Sequence, residues 1–470
     1  MRILILSHGH PELSMGGAER AAYSLFQRLK RDPGVEKAVF VARAEPQAIG
    51  HSAFFGSFRG RPDEILVSPP QVDGFTFQTL GYDVLKQLVG ELISSIRPDV
   101  VHVHHFVFWG IEIFEMFKRA GVKVVFTIHE FAAICANFGQ MVKVDGRLCH
   151  AASPAECGMC FPTMSAGKFF VRNTILKSLF ADVDYFVSPS AFLKGRYAAW
   201  GIDDERIGVI ENLLDPDVIA RGRLRVSTGV IPAQSGETGG GGRVVIGYFG
   251  QINPFKGVDL LLQATAMLPE SLRLRLEIRI HGENRHFKDT AFGARIDSLL
   301  ADTEDVVRLM GSYRNEDVSD LMAACAFVIV PSVWWENSPV VIQEAKMAGR
   351  PLICANIGGM AEKMNAATDH LFTAKSPGAL AEVLRRILER DTPVAPTTLN
   401  HLALARADVD EDYFDEHSAV YRRLLDANAL SLVPAPVTAA FGQVNVDDSA
   451  PYGNSVATVT VKRKARQPRG

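Results

Sequence analysis

The sequence predicts an α/β protein made of two doubly wound domains, each built on a parallel sheet. Three observations carry this expectation. Short apolar runs alternate with amphipathic stretches along most of the chain. The alternation restarts after a glycine-rich break. Each half opens with a strand that leads through a glycine-bearing loop into a helix. A length of 470 residues is also too great for one ordinary core.

In the first half the runs Ile3–Ser7, Val39–Ala42, Val100–His104, Val122–His129, Tyr185–Ser188 and Ile207–Ile210 read as strands. In the second half Val244–Phe249, Leu274–Ile280, Val306–Met310, Phe327–Val330 and Pro351–Cys354 do so. Helical patterns at Ala18–Lys30, Val258–Leu268 and Leu380–Leu388 lie between them. The run Ser235 to Gly242 cannot hold regular structure and reads as a linker. These patterns divide the chain into a first domain at 1–215, a flexible linker at 216–243 and a second domain at 244–398. Helices at 399–429 then pack back toward the first domain, and 430–470 form a disordered tail.

Composition narrows the function classes. A formal charge of −3 leaves no broad cationic field, which argues against a nucleic-acid partner. The one dense basic cluster, Lys462 to Arg466, reads as a solvated tail or as a contact to an anionic membrane surface. The apolar N-terminal run is too short for a secretory signal, and no apolar stretch approaches the roughly 20 residues that span a bilayer. Six cysteines do not make a secreted disulfide framework. The expected location is the cytoplasm. The apolar and basic stretch Lys168–Lys177 is either a packed helix or a peripheral membrane contact.

Both opening loops suit an anion. Gly16 and Gly17 precede the first helix; Gly250, Gln251, Lys256 and Gly257 precede the first helix of the second half. Such loops lie at the carboxyl edge of a doubly wound sheet, where ligands bind. Glycine admits a ligand close to the backbone, and free N–H groups at a helix start attract negative charge. The strongest local pattern is Pro331 to Glu344. There Ser338 and Pro339 are expected as N-cap and first-turn proline of a helix running to Met347, with the N–H groups of Val340 and Val341 open to a diphosphate. Glu336 lies in the loop before that helix and Glu344 on it, suited to sugar or ribose hydroxyls. A second glycine turn, Gly358-Gly359, adds backbone donors at the same edge.

These residues carry a family resemblance. The second half resembles the nucleotide-sugar-dependent glycosyltransferases of family 4, which retain anomeric configuration and have the GT-B fold, two Rossmann-like domains facing each other across a cleft. The matching features, in the family's order, are Gly250, Lys256-Gly257, Gly311, Pro331-Ser332, Glu336 and Glu344-Ala345, then Gly349-x-Pro351 and Gly358-Gly359-x-x-Glu362. In the first half Gly16-Gly17-Ala18-Glu19, Thr127-Ile128-His129-Glu130, Ser188-Pro189-Ser190 and Ile210-Glu211-Asn212 fit as well. The likeness covers roughly residues 1–425. It implies that Glu344 binds the donor ribose, Glu336 holds the transferred sugar, and Lys256 neutralises the diphosphate. His129 would reach the reacting centre, and Gly16-Gly17 would border phosphate and acceptor. It further implies a nucleotide-diphosphate sugar as donor, a glycan or lipid-linked acceptor, no catalytic metal, and a place in cell-surface polysaccharide or lipopolysaccharide synthesis.

Two departures stand out. Gln251 occupies a place where the family often has arginine, and Asn337-Ser338-Pro339 replaces a glycine-rich stretch. Two other functions share the architecture, a sugar-nucleotide 2-epimerase and a non-catalytic nucleotide-sugar-binding subunit. The histidine run His102, His104, His105 reads as strand-end residues lining the cleft, in preference to a metal site. Four cysteines, Cys135, Cys149, Cys157 and Cys160, crowd a long loop after His129. A structural zinc that orders this loop, buried unpaired thiols and a redox pair all remain open.

Overall fold

The computed structural model describes residues 1–14, 16–49, 54–228, 243–283, 287–389 and 396–426. Residues 1–431 form one compact unit. The expected tail and basic cluster lie outside the described residues, as does the Ser235–Gly242 stretch.

Eight strands build the first sheet: β1 Arg2–Ser7, β2 Lys37–Arg43, β3 Phe55–Ser57, β4 Glu64–Val67, β5 Val100–Val103, β6 Lys123–Thr127, β7 Tyr185–Ser188 and β8 Ile207–Val209. Their order is β3-β4-β2-β1-β5-β6-β7-β8, parallel except for the β3–β4 pair. Six more build the second: β9 Val244–Phe249, β10 Leu276–His281, β11 Val307–Gly311, β12 Phe327–Val330, β13 Leu352–Asn356 and β14 His370–Thr373. Their order is β11-β10-β9-β12-β13-β14, all parallel.

Side-chain alternation in β1 explains why helices cover both faces. Leu4 and Leu6 enter one core with Val39, Val101 and Phe114, while Ile3 and Ile5 enter the other with Phe26 and Phe40. The helix Gly17–Leu29 buries Ala21, Ala22, Leu25, Phe26 and Leu29, one face at helical spacing. The helix Pro396–Leu425 adds Val420 and Tyr421 to that same core. The second sheet sits in its own core around Ile246, Ile278 and Ile353.

Order reverses between β1 and β5 in the first sheet and between β9 and β12 in the second. Loops leaving the carboxyl ends of these neighbours diverge and open a crevice. The loops after β1, β9 and β12, which the sequence singled out for ligands, leave those ends.

Three expectations need correction. Pro216–Thr228, taken as the start of the linker, is a helix, and its Val218 and Ile219 pack into the second core. The Pro339–Met347 helix begins at Val340, with Pro339 as N-cap and no side-chain capping bond. Ser338 is drawn away from capping because its hydroxyl donates to the Glu211 carboxylate in the first domain. Three short strands, β3, β4 and β14, were not anticipated. In β4 the apolar run is only Ile65 to Val67, and Glu64 at its start is buried against His10, Tyr23 and Arg61.

Candidate active site

The two anion loops meet. A side chain at Gly17 would come within 3.7 Å of the Val340 Cγ2 atom, so the starts of the helices Gly17–Leu29 and Val340–Met347 face one another. First-turn N–H groups such as those of Val340 and Val341 lie ahead of the helix's own ladder and are available to an anion. Gln251 is exposed on the loop after Gly250, and the Tyr248 hydroxyl donates to the Gln251 carbonyl at 2.7 Å.

Glu336 is the organising acid. Its Oε1 accepts from Lys256 Nζ at 2.6 Å, Ser332 Oγ at 2.7 Å and Trp334 Nε1 at 2.9 Å. Burial pushes the Glu336 carboxyl up, but the Lys256 charge and these bonds outweigh it and hold it below the usual range. Gly257 makes the pairing possible. Its φ is +72°, and a Cβ there would stand 2.0 Å from the Pro331 carbonyl oxygen. Lys256, expected on the diphosphate, thus also pairs with Glu336.

Glu344 is equally buried, with only 5% of its surface exposed. Burial raises its pKa, opposed by Arg20 and reinforced by Asp215. The Arg20 guanidinium lies 3.7 Å from the Glu344 carboxylate and comes from the first domain. Sequence reasoning missed this second cation. Its signal was present: Arg20 directly follows Gly16-Gly17-Ala18-Glu19, on the first turn of a helix aimed at the site.

The first domain contributes a histidine cluster from the ends of β1, β5 and β6. His8 Nε2 lies 3.2 Å from Glu19, and His105 Nε2 lies 3.3 Å from Glu130. Burial pushes Glu19 up, yet hydrogen bonds with His8 and Ser14 bring it down to about 2. Burial holds the His8 pKa below its usual value, so a neutral ring donates to a carboxylate there. His129 is held down to about 3, chiefly by burial.

Polar contacts close the gap between the domains around these groups. Asn337 Nδ2 donates to the His129 carbonyl at 2.8 Å. Lys363 pairs with Glu211 and donates to the Pro189 carbonyl at 3.0 Å. Glu362 accepts from the N–H groups of Ala191 at 2.9 Å and Phe192 at 3.2 Å, capping the helix Ala191–Trp200. Gly359 has a further part beside the one expected of it. The Gly359 N–H already donates to the Glu336 carbonyl at 2.7 Å, so the turn braces the Glu336 loop.

Zinc finds no support at the cysteine loop. Among the described residues no group of three or more His, Cys, Asp or Glu side chains could hold a metal, and Cys135, Cys149, Cys157 and Cys160 are free thiols. Burial raises the Cys135 and Cys149 thiols and pushes Cys157 up to about 11, so these groups stand as protonated thiols near neutral pH. Arg172 orders the loop instead. Its guanidinium, 1% exposed, donates to the carbonyls of Phe75, Ala132 and Ala133. From the second domain, Trp335 Nε1 donates to the Cys149 carbonyl at 3.0 Å.

Comparison with known proteins gives this site its context. Residues 15–218 match the model of Glycosyltransferase Family 4, and residues 243–390 match that of Glycosyl transferases group 1. Each half of the chain thus matches a glycosyltransferase family model. A D-inositol 3-phosphate glycosyltransferase of Streptomyces scabiei is 31% identical over 34% of this chain and 36% of its own length. With such relatives the alignment thus spans about a third of their length. One from Catenulispora acidiphila is 25% identical over 69% of this chain and 72% of its own. An O-antigen chain mannosyltransferase B of Escherichia coli is 30% identical over 24% of this chain and 29% of its own. The fold matches that of Anabaena HepE crystallised with UDP and glucose, at a TM-score of 0.59, 18% identity, and 90% and 99% coverage of the two chains. Sucrose-phosphate synthase of Thermosynechococcus elongatus aligns at a TM-score of 0.61 with 16% identity, covering 90% of this chain and 99% of its own. The two parallel-sheet domains are therefore those of the GT-B fold.

Proposed function

We propose that this glycosyltransferase moves a sugar from a nucleotide-diphosphate donor to a glycan or lipid-linked acceptor, with retention of anomeric configuration. The observation that carries this reading is the convergence of two helix starts and two cations on two buried glutamates. Helix N–H groups near Gly17 and Val340, with Lys256 and Arg20, can hold a diphosphate and stabilise it as the sugar departs. Glu344 would accept from the ribose hydroxyls, releasing Arg20 to the phosphate. Glu336 would accept from hydroxyls of the transferred sugar, in exchange for part of its present bonding. His129 and Gly16 would face the sugar and the acceptor. Gln251 and Ser338 border the same space.

Fixed cations and helix starts suit a transfer that does not depend on a divalent ion. A glycosidase pair does not fit, because a glutamate bound to ribose cannot also flank the scissile bond. The E. coli relative acts in O-antigen assembly by its name, which supports cell-surface polysaccharide or lipopolysaccharide synthesis as the setting. Among the described residues no helix is long and apolar enough to cross a membrane. The helix Ala166–Phe180 buries Phe169, Arg172, Leu176 and Phe180 but exposes Phe170 and Val171, which suits peripheral contact with a cytoplasmic membrane face.

Incubation with labelled nucleotide sugars and a lipid or glycan acceptor, with and without EDTA, tests the proposal. A new glycoside with free nucleoside diphosphate, formed equally in EDTA, is expected. Isomerised donor without nucleotide release would establish an epimerase. Donor binding without turnover on any acceptor would favour a binding subunit.

A further inference from the structure

The carboxyl end of β5 holds two buried histidines whose role is unassigned, His102 and His104, at 0% and 2% exposure. The His102 ring is held at both nitrogens, by the Tyr421 hydroxyl at Nδ1 and the Thr127 hydroxyl at Nε2, each at 2.6 Å. It packs against the His104 ring with centroids 4.4 Å apart. His104 Nδ1 in turn lies 3.0 Å from His129 Nε2, with the two rings stacked at 5.2 Å. A chain of contacts thus runs from the helix Pro396–Leu425 to the histidine at the site.

We propose that His104 is a positioning residue that fixes the tautomer of His129, placing the His129 proton on Nδ1, where it can donate to the bound sugar or phosphate. The last part rests on the reading of His129 given above. Burial keeps both rings neutral near pH 7, with His129 held down to about 3 and His104 well below its usual value. Two neutral imidazoles that share one hydrogen bond must choose a donor. If His129 donated from Nε2, His104 would carry its own proton on Nε2. That nitrogen is buried and has no partner among the described residues. An orphaned buried N–H is among the costlier defects of a protein interior. With His104 donating from Nδ1, the atom left bare is a ring lone pair, the same arrangement that His8 shows when it donates to Glu19 and leaves Nδ1 bare. His129 then accepts at Nε2 and carries its proton on Nδ1, which makes no hydrogen bond to the described residues. The Asn337 bond to the His129 carbonyl and the stacked His104 ring keep that nitrogen in place.

The test uses the full chain labelled with ¹⁵N-histidine. Long-range ¹H–¹⁵N spectra report which nitrogen of each neutral ring is protonated, and loss of one set of signals in His129→Gln assigns them. The native chain is expected to show His129 protonated on Nδ1. His104→Ala should move the proton to Nε2 or mix the two forms, and lower kcat about tenfold with little change in the donor KM. His104→Asn, whose amide N–H can donate to Nε2, should restore the Nδ1 form and most of the lost turnover. An Nε2-protonated His129 in the native chain overturns the proposal, whether or not the variants fold. So does an unchanged tautomer in a folded His104→Ala. If the tautomer is as stated but neither His104→Ala nor His129→Ala alters turnover, the tautomer assignment stands and the role given to His129 falls.

Discussion

At the scale of single residues, Lys256 and Glu336 form the most consequential pair. Glu336 is 6% exposed and takes three hydrogen bonds on one oxygen, one of them from Lys256. Removing the lysine strands a buried carboxylate. Lys256→Ala should therefore cost about 3 kcal/mol of stability, the lower end for breaking a buried pair, because the Lys256 side chain is 30% exposed. Activity should fall about tenfold to a hundredfold, since a charge-assisted contact to the diphosphate contributes about 1.5–3 kcal/mol. Combining Lys256→Met with Glu336→Gln should recover the melting temperature but not the transfer. Recovery of both would remove Lys256 from the chemistry.

Gln251 offers a gain of function. Gln251→Arg should tighten nucleoside-diphosphate binding by up to about tenfold, with the gain shrinking as salt rises. Arg20 is the complication, because it already brings a cation to the site from the other domain. Calorimetry on Gln251→Arg alone and together with Arg20→Met separates the cases. A gain only in the double variant would mean that Arg20 holds the place; no gain in either would mean that position 251 faces away from the phosphate.

At the scale of elements, the turn Gly358 to Lys363 braces the loop that carries Glu336. Gly358 has φ of +62°, and a Cβ there would lie 2.1 Å from the Glu336 carbonyl oxygen. Neither the backbone conformation nor the contact tolerates a side chain. Gly358→Ala is expected to cost about 1–3 kcal/mol and to lower turnover more than donor affinity, because it displaces Glu336 while leaving Glu344 in place. Urea denaturation and steady-state kinetics check this; equal loss of affinity and turnover would show that the turn supports the whole donor site. The sequence marked the two glycines as ligand donors. Their bracing role depends on the carbonyls of residues 336 and 337, some twenty positions away, and local pattern carries no trace of that.

At the scale of the molecule, buried histidines link stability to pH. Burial holds His129 down to about 3 and His417 to about 4, and holds His102 and His104 well below the usual value. A depressed folded pKa means that the unfolded chain takes up protons first as pH falls. The stability contribution is complete above about pH 6.5 and is lost progressively below it, until the folded pKa values near 3 to 4 are reached. Each group contributes a slope of at most about 1.4 kcal/mol per pH unit, so four together approach about 5.5. The guanidinium midpoint should drop steeply between pH 7 and 5, and a flat profile over that range would contradict the burial of these rings.

Much of this architecture was legible in one dimension. Continuous apolar runs such as Ile3–Leu6 can only be strands buried on both faces, and their alternation with amphipathic segments dictates parallel sheets. Glycines at strand ends, and two glutamates flanking a helix start, marked the ligand edge for the same local reasons. What the sequence could not decide is where non-local partners act. Ser338 reads as a helix cap until Glu211, 127 positions away, takes its hydroxyl. The four cysteines leave zinc, buried thiols and a redox pair open along the chain, and only the fold shows Arg172 donating to the Ala132 and Ala133 carbonyls of their loop. Arg20 has no role in the local pattern and gains one only when the domains meet and it reaches Glu344. Local propensity and periodicity are written along the chain, whereas desolvation and long-range hydrogen bonding arise only once distant segments share one dry interface.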